Sequence, residues 1–262
     1  MKVESAEALA RQGKIEQAAR ALGAKGLGLD RLLENSPRHD LLYSAKALGA
    51  ALPAPLLAQW RKLAARRRSG ALWSVIGAAE AARGRTKQAR AALDKALKLE
   101  PALSEASLLR ALCGLQSCLR DADNHGRKAA LADADAALSR RPKDARALRL
   151  RAEILCDLDD LDGAEKTLRK ALALEPKNGW ARVELADLLC DQGRFAEAWK
   201  ELSRVKAPPS GDASWYYALR GRAQGTTGRL KEGLNELNRA LSLSPRHPVI
   251  LAWRGEALRA MG

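Results

Sequence analysis

The sequence predicts an all-α fold, an α-solenoid of stacked antiparallel helix pairs. Three observations carry that expectation. Of the 262 residues, 52 are Ala and 45 are Leu, against five Val, four Ile and four Thr. Ala and Leu favour helices, whereas sheets draw on β-branched and aromatic residues, and aromatics are only 4% of this chain. That balance excludes a β-sandwich, a barrel or a parallel α/β sheet. Second, apolar and small residues recur at spacings of three and four in paired runs, and most pairs are split by a glycine turn. Third, the pairs return at a period near 34 residues and close on proline.

The elements follow in order. Residues 3–23 echo half of the repeating pattern, with Gly13 at the turn and Ala18 on the second helix. A weaker pair runs from Pro37 to Arg68; its turn is Pro53-Ala54-Pro55, and Trp60 and Leu63 lie on its second helix. Residues 1–69 are therefore expected to form an N-terminal helical region, either degenerate repeats or the cap that a solenoid needs. The regular array is expected over 70–262, with units starting near 70, 104, 145, 179 and 214 and a final half unit from 248. In the first unit two amphipathic helices meet near Gly84, and the second stops before Pro101. Proline lacks an amide and disfavours a helical residue before it. Pro142, Pro176 and Pro245 close later units in the same way. Gly193 and Gly228 repeat the Gly84 turn, and Asp159 stands in its place in the third unit. The second unit is longer because of an insertion centred on Asp121–Gly126.

These residues resemble the tetratricopeptide repeat (TPR) family. Trp73–Gly77–Ala89–Ala96–Pro101 carries its marks: a large residue early in the first helix, a small one four further on, small residues in the second helix, and a closing proline. Tyr217–Gly221–Gly233–Ala240–Pro245 repeats them, as does Leu148–Ala152–Ala164–Ala171–Pro176 with Leu for the aromatic. The fourth unit departs, with Arg182 at the early large site and Pro208–Pro209 ending its second helix early. Small residues at a helix crossing let two backbones approach to about 8–10 Å. Four first helices place arginine before the small residue, at Arg110, Arg151, Arg220 and Arg254, read as snorkelling side chains whose stems cover the seam.

The resemblance implies a right-handed α-solenoid whose first helices line a concave groove for an extended peptide or a partner helix. Carried over to this sequence, the inward positions include Arg146, Arg149, Glu153 and Asp157 of the third unit. Trp180, Asp187 and Asp191 of the fourth unit and Trp215 and Arg222 of the fifth join them. Glu153, Asp157, Asp187 and Asp191 would form an acidic strip. Trp180 and Trp215 hold the same place in adjacent units, where they either sandwich an apolar side chain or pack on the preceding unit. The inward sites Ser74, Ala78, Leu108 and Leu112 do not make the Lys/Asn/Arg carboxylate clamp of chaperone-binding members, which argues against co-chaperone function.

No constellation for catalysis is found: no glycine-rich phosphate loop, no GxSxG elbow, no Cys/His pair at a meaningful spacing. Asp121–Gly126 resembles the start of a calcium loop, but Ala132 stands where a bidentate Glu is required, so a polar turn is expected. His39, His125 and His247 lie on separate units. The expectation is therefore no enzyme, no cofactor, no metal and no small-molecule substrate. No apolar run reaches the ~18 residues of a membrane span, and the N-terminus lacks the apolar stretch of a secretory signal. Cys113, Cys118, Cys156 and Cys190 form no CxxC pair and are read as free, buried thiols in a reducing, cytoplasmic compartment.

The net charge is +15, unevenly spread: +7 over residues 1–70, +5 over 214–262, 0 over 145–178 and −1 over 179–213. The densest run, Arg61, Lys62, Arg66, Arg67 and Arg68, has the charge to meet phosphates but lacks interleaved aromatics or a nucleic-acid motif. The function expected is a non-catalytic protein–protein interaction scaffold. One alternative is the recognition arm of a larger glycosyltransferase- or sulfotransferase-like protein, because bacterial chains that this one resembles place TPR units before such domains. Another is nucleic-acid binding through the basic ends. The last helix presents Val249, Ile250, Leu251, Trp253, Leu258 and Met261 as an apolar face with little cover: either this helix is itself the last layer, or it meets a partner or a dimer mate, or the chain is cut from something longer.

Overall fold

The computed structural model describes residues 2–12, 14–22, 54–118, 124–208 and 213–262. The expectations placed on Gly13, on the helix between Pro37 and Pro53, on Asp121 and Asp123 and on Pro209 lie outside the described residues. Fourteen helices and no strand occur among the described residues. The chain divides into two compact units, Met1–Asp160 and Leu161–Gly262, so the division falls inside the third sequence repeat.

The first unit holds α1 (Lys2–Arg11), α2 (Ile15–Ala21), α3 (Ala54–Arg67), α4 (Gly70–Ala82), α5 (Thr86–Leu99), α6 (Ser104–Cys118), α7 (Asn124–Arg140) and α8 (Ala145–Asp157). Helix α4, GALWSVIGAAEAA, is apolar all round, and every one of its residues is buried. It is packed by α1, α2, α3, α5 and α6. Ile15, Leu57, Trp60, Leu72, Ile76, Leu93 and Leu109 share one core there, so the N-terminal helices extend the core of the first regular repeat. The single charge on α4, Glu80, is 1% exposed and is ion-paired with Arg61 of α3 and, at 3.9 Å, with Arg85. A carboxylate so buried requires such a partner. Arg67 pairs with Glu7 at 3.6 Å, so two of the five cations in the basic run bind within the fold rather than face solvent alone. Asn124, His125 and Gly126 form the first turn of α7, and Arg127 donates to Asn124 Oδ1 at 3.0 Å.

The second unit holds α9 (Leu161–Leu174), α10 (Gly179–Asp191), α11 (Phe195–Leu202), α12 (Ala213–Thr226), α13 (Leu230–Leu243) and α14 (Pro248–Met261). Helix α11 is short, as the fourth unit's departing sequence implies, and Pro208 follows it in the connection to α12.

Within a pair the helices cross at a position that is small in every regular unit: Gly77, Ala111, Ala152, Ala186 and Gly221. A Cβ added at Gly77 would lie 2.5 Å from Leu93 Cγ, and one at Gly221 would lie 2.7 Å from Leu237 Cγ and 2.8 Å from the Gly233 carbonyl oxygen. Both leucines are buried, so each fills the notch that its glycine leaves. The turns between paired helices share one backbone conformation: φ is 69° at Gly84, 73° at Gly193, 86° at Gly228 and 64° at Asp159. Glycine adopts this left-handed region without strain; aspartate tolerates it at some energetic cost. First helices begin on a capping residue, with Ser69, Asp144 and Asn178 side chains accepting from amides of the first turn. The next position is small in every regular unit: Gly70, Ser104, Ala145, Gly179 and Ser214. Two of these use the room for a bond, Ser104 Oγ donating to the Ala137 carbonyl and Ser214 Oγ to that of Ala240, both at 3.1 Å. Each bond adds a second donor to a carbonyl in the last turn of a second helix, which already accepts from the amide of Arg141 or of Ser244.

The four seam arginines are ion-paired or hydrogen-bonded rather than merely snorkelling. Arg110 binds Asp94 of the preceding second helix at 2.9 Å and Asp133 of its own at 2.8 Å. Arg151 binds Asp135 at 2.7 Å and Arg254 binds Asn238 at 2.7 Å, both on the preceding second helix. Arg220 reaches Glu236 of its own second helix at 2.9 Å.

Two substitutions at repeat-equivalent backbone sites should act in opposite directions. Asp159→Gly removes left-handed strain and is expected to stabilise by about 0.5–1 kcal/mol. Gly221→Ala forces a methyl against the Gly233 backbone, and is expected to destabilise by about 1–3 kcal/mol. Urea unfolding followed by helical circular dichroism, fitted unit by unit as a solenoid requires, checks both signs.

Candidate partner-binding site

Each candidate residue lies on a first helix of a pair. In the first unit α8 carries Arg146, Arg149, Glu153 and Asp157. Arg146 is held inside the fold: it binds Glu105 of α6 at 3.1 and 3.3 Å and the capping carboxylate of Asp144 at 3.0 and 3.3 Å. Glu105 is 5% exposed, and its burial pushes its pKa up against the opposing pull of Arg146. Arg149 and Glu153 are themselves buried and Asp157 is half-buried. The open part of α8 is therefore smaller than the sequence pattern implies.

In the second unit three successive first helices bring their candidates together. Trp215, near the start of α12, donates its indole N–H to Asp187 Oδ2 of α10 at 3.3 Å. The ring of Trp215 lies 5.2 Å from that of Trp253 on α14 and 5.6 Å from His247, both at 38°. The Arg222 guanidinium, two turns along α12, sits 4.5 Å over the Trp253 ring and 5.4 Å over Phe195. Its Nη1 is 3.8 Å from Asp191 Oδ1. The cluster thus alternates carboxylate, indole, indole, guanidinium and carboxylate. Asp187 is buried, Trp215, Trp253 and Arg222 are half-buried, and Asp191 is exposed. Trp180 is half-buried at the start of α10. Cys190, beneath this cluster, is buried, and its thiol pKa is pushed up to about 12 by burial and then by Asp187.

Such a surface offers two aromatic faces, one of them already stacked on a cation, beside an exposed carboxylate. Half-exposed indoles bind apolar or cationic side chains, and the carboxylate accepts from an N–H donor. Trp253, His247 and Phe195 were not among the residues singled out for the groove. Trp253 is counted in the sequence with the apolar face of the last helix. Its place one residue before Arg254, on the side away from Leu251, Gly255 and Leu258, is the signal that separates it.

Two family models, both described as tetratricopeptide repeat, match residues 120–179 and 159–223. A comparison with curated proteins finds no match. Among solved structures, pilF of Pseudomonas aeruginosa superposes with a TM-score of 0.68 at 14% identity, covering 95% of this chain and 99% of that one. YrrB, a TPR protein with an unusual peptide-binding site, gives 0.57 at 17% identity, over 74% of this chain and 96% of its own. A tetratricopeptide repeat protein from Parabacteroides merdae gives 0.55 at 17% identity, over 98% and 97%. At these identities the likeness is one of fold. Residues 120–223 match the tetratricopeptide repeat, and the glycine turns at Gly84 and Gly228 and the notch at Gly77 repeat the same unit outside them, which supports a tetratricopeptide repeat protein.

Proposed function

We propose that this protein is a non-catalytic interaction scaffold that holds a peptide or partner helix against its first helices. The observation that carries the reading is the cluster of Asp187, Asp191, Trp215, Arg222 and Trp253, drawn from α10, α12 and α14. These are the helices on which the family resemblance places a ligand, and tryptophan with arginine is the pairing that most often anchors one. Trp180 of α10 belongs to the same proposed surface of the second unit, while Arg146, Arg149, Glu153 and Asp157 of α8 are proposed as binding positions of the first unit by itself, with Arg146 acting mainly as a support for Glu105. A TPR neighbour whose peptide-binding site is its distinguishing feature supports the class of ligand. Residues 1–69 serve on this reading as a cap for the array over 70–262, a role supported by the packing of α1, α2 and α3 on α4. The four cysteines form no disulfide and three of them are buried, which suits a reducing compartment, and we place the protein in the cytoplasm on that ground.

The test is capture of partners from the source cell with the intact protein, followed by binding of the captured segment in solution. Asp191 is exposed and Trp253 half-buried, so Asp191→Lys with Trp253→Ala alters the surface while sparing the buried Asp187. The double variant should bind about 10- to 100-fold more weakly, the range of a lost anchor. Equal recovery of the same partner by both proteins overturns the reading.

A further inference from the structure

Charges of both signs meet at the proposed surface of the second unit, and they are not equally available. The Arg222 guanidinium lies against two rings, 4.5 Å over Trp253 and 5.4 Å over Phe195, and its Nη1 is 3.8 Å from Asp191 Oδ1. Its side chain is 27% exposed, that of Asp191 47%. An ionised carboxylate has acceptor positions for about four donors. At that exposure Asp191 can take a further N–H beside those of its own fold. Asp187 and Asp191 are four residues apart on α10, which puts them on one face about 6 Å from each other. The Trp215 indole N–H binds Asp187 at 3.3 Å, so its half-buried ring starts at one end of this acidic pair and Asp191 closes the other.

The local sign of charge decides what such a surface accepts. Residues 179–213 carry −1 within a chain of +15. Charges further away than about 8 Å are largely screened at physiological ionic strength, so a ligand meets the local sign and not the total. The Cys190 thiol beneath the site senses that sign. After burial, Asp187 acts on it most strongly and raises its pKa; Arg222 opposes that shift and Asp191 adds to it. A ligand carboxylate aimed at Arg222 would also approach Asp191 and be repelled. An apolar side chain would cover Asp191 without giving it a donor, which costs free energy. The chain itself shows the favourable case, because Arg222 places a guanidinium over one indole and beside a carboxylate.

We propose that the segment held at this surface is basic: an arginine or lysine of the partner lays its stem along the Trp215 ring and donates to Asp191. This rests on the interaction-scaffold reading and names the chemistry of its ligand. Trp215 and Asp191 stand on α12 and α10, first helices that already have their second helix and a following first helix in place.

The probe is a set of capped heptapeptide pools whose central residue is Arg, Lys, Glu or Leu and whose other positions are mixtures of Ala, Gly, Leu, Pro, Ser and Gln. The pools are passed over the immobilised intact protein and the retained peptide is counted by mass spectrometry. The Arg and Lys pools are expected at least about tenfold above the Glu and Leu pools. Asp191→Asn should remove that preference, and Asp191→Lys should turn it toward the Glu pool. Both change an exposed side chain, and an unchanged helical circular dichroism spectrum checks that the fold is kept. Equal retention of the pools, or a preference for Glu or Leu, overturns the proposal; where Trp253→Ala abolishes that retention, the scaffold reading stands without it. A preference for Arg and Lys that both Asp191 variants keep also overturns it, because the acid then lies elsewhere. Retention of no pool above bare resin overturns it too, and leaves the scaffold reading to its own partner capture.

Discussion

The structure depends on one steric constraint: where paired helices cross, the first helix has room for nothing larger than a methyl group, and at Gly77 and Gly221 for no side chain at all. Gly77 and Gly221 meet that constraint, and Leu93 and Leu237 exploit it. Burying one leucine is worth about 1.5–3 kcal/mol, more than the roughly 1 kcal/mol lost by putting glycine in a helix. The exchange is favourable only when the leucine arrives at the notch, so the turn and the register of the second helix are constrained together. The left-handed residue at Gly84, Gly193 and Gly228 fixes the turn, and the closing proline stops the second helix. The abundance of alanine follows from the same packing, because most other contacts between helices also require small residues.

That logic was legible in the sequence wherever a position tolerates few residue types. The turn positions, Asp159 included, and the small residues at the crossing fall where the spacing puts them. The arginines were only half legible. Their position before the small residue is visible, but each binds an acid or amide on another helix, and a linear reading sees only a long side chain on an apolar seam. A spacing of 16 residues, repeated in Arg110–Asp94, Arg151–Asp135 and Arg254–Asn238, is the signal that was present. Composition hid it, since charged residues fill every exposed second-helix face.

The candidate site was legible as a set of helix faces and not as a set of open groups. Burial is a property of three or more elements, so the sequence could not show that Glu105 takes up Arg146 or that Asp187 lies beneath Trp215. Nor could it show that Arg61 and Arg67 answer Glu80 and Glu7. The large positive charge therefore overstates the cationic surface, and a phosphate-binding reading of the basic run loses part of its basis. Trp253 escaped notice because its register site is held by Leu219 in the previous unit, where a leucine is simply core.

The proposed surface of the second unit depends on helix register as much as its core does. Trp215 and Arg222 of α12 meet Trp253 of α14 at 5.2 and 4.5 Å, and Trp215 reaches Asp187 of α10. Those meetings hold only while each pair keeps the register that seats Leu237 in its notch, so the packing that stabilises the array also spaces the groups that a ligand would meet. A ligand held across α10, α12 and α14 would in turn favour the packed state over one in which a pair has opened.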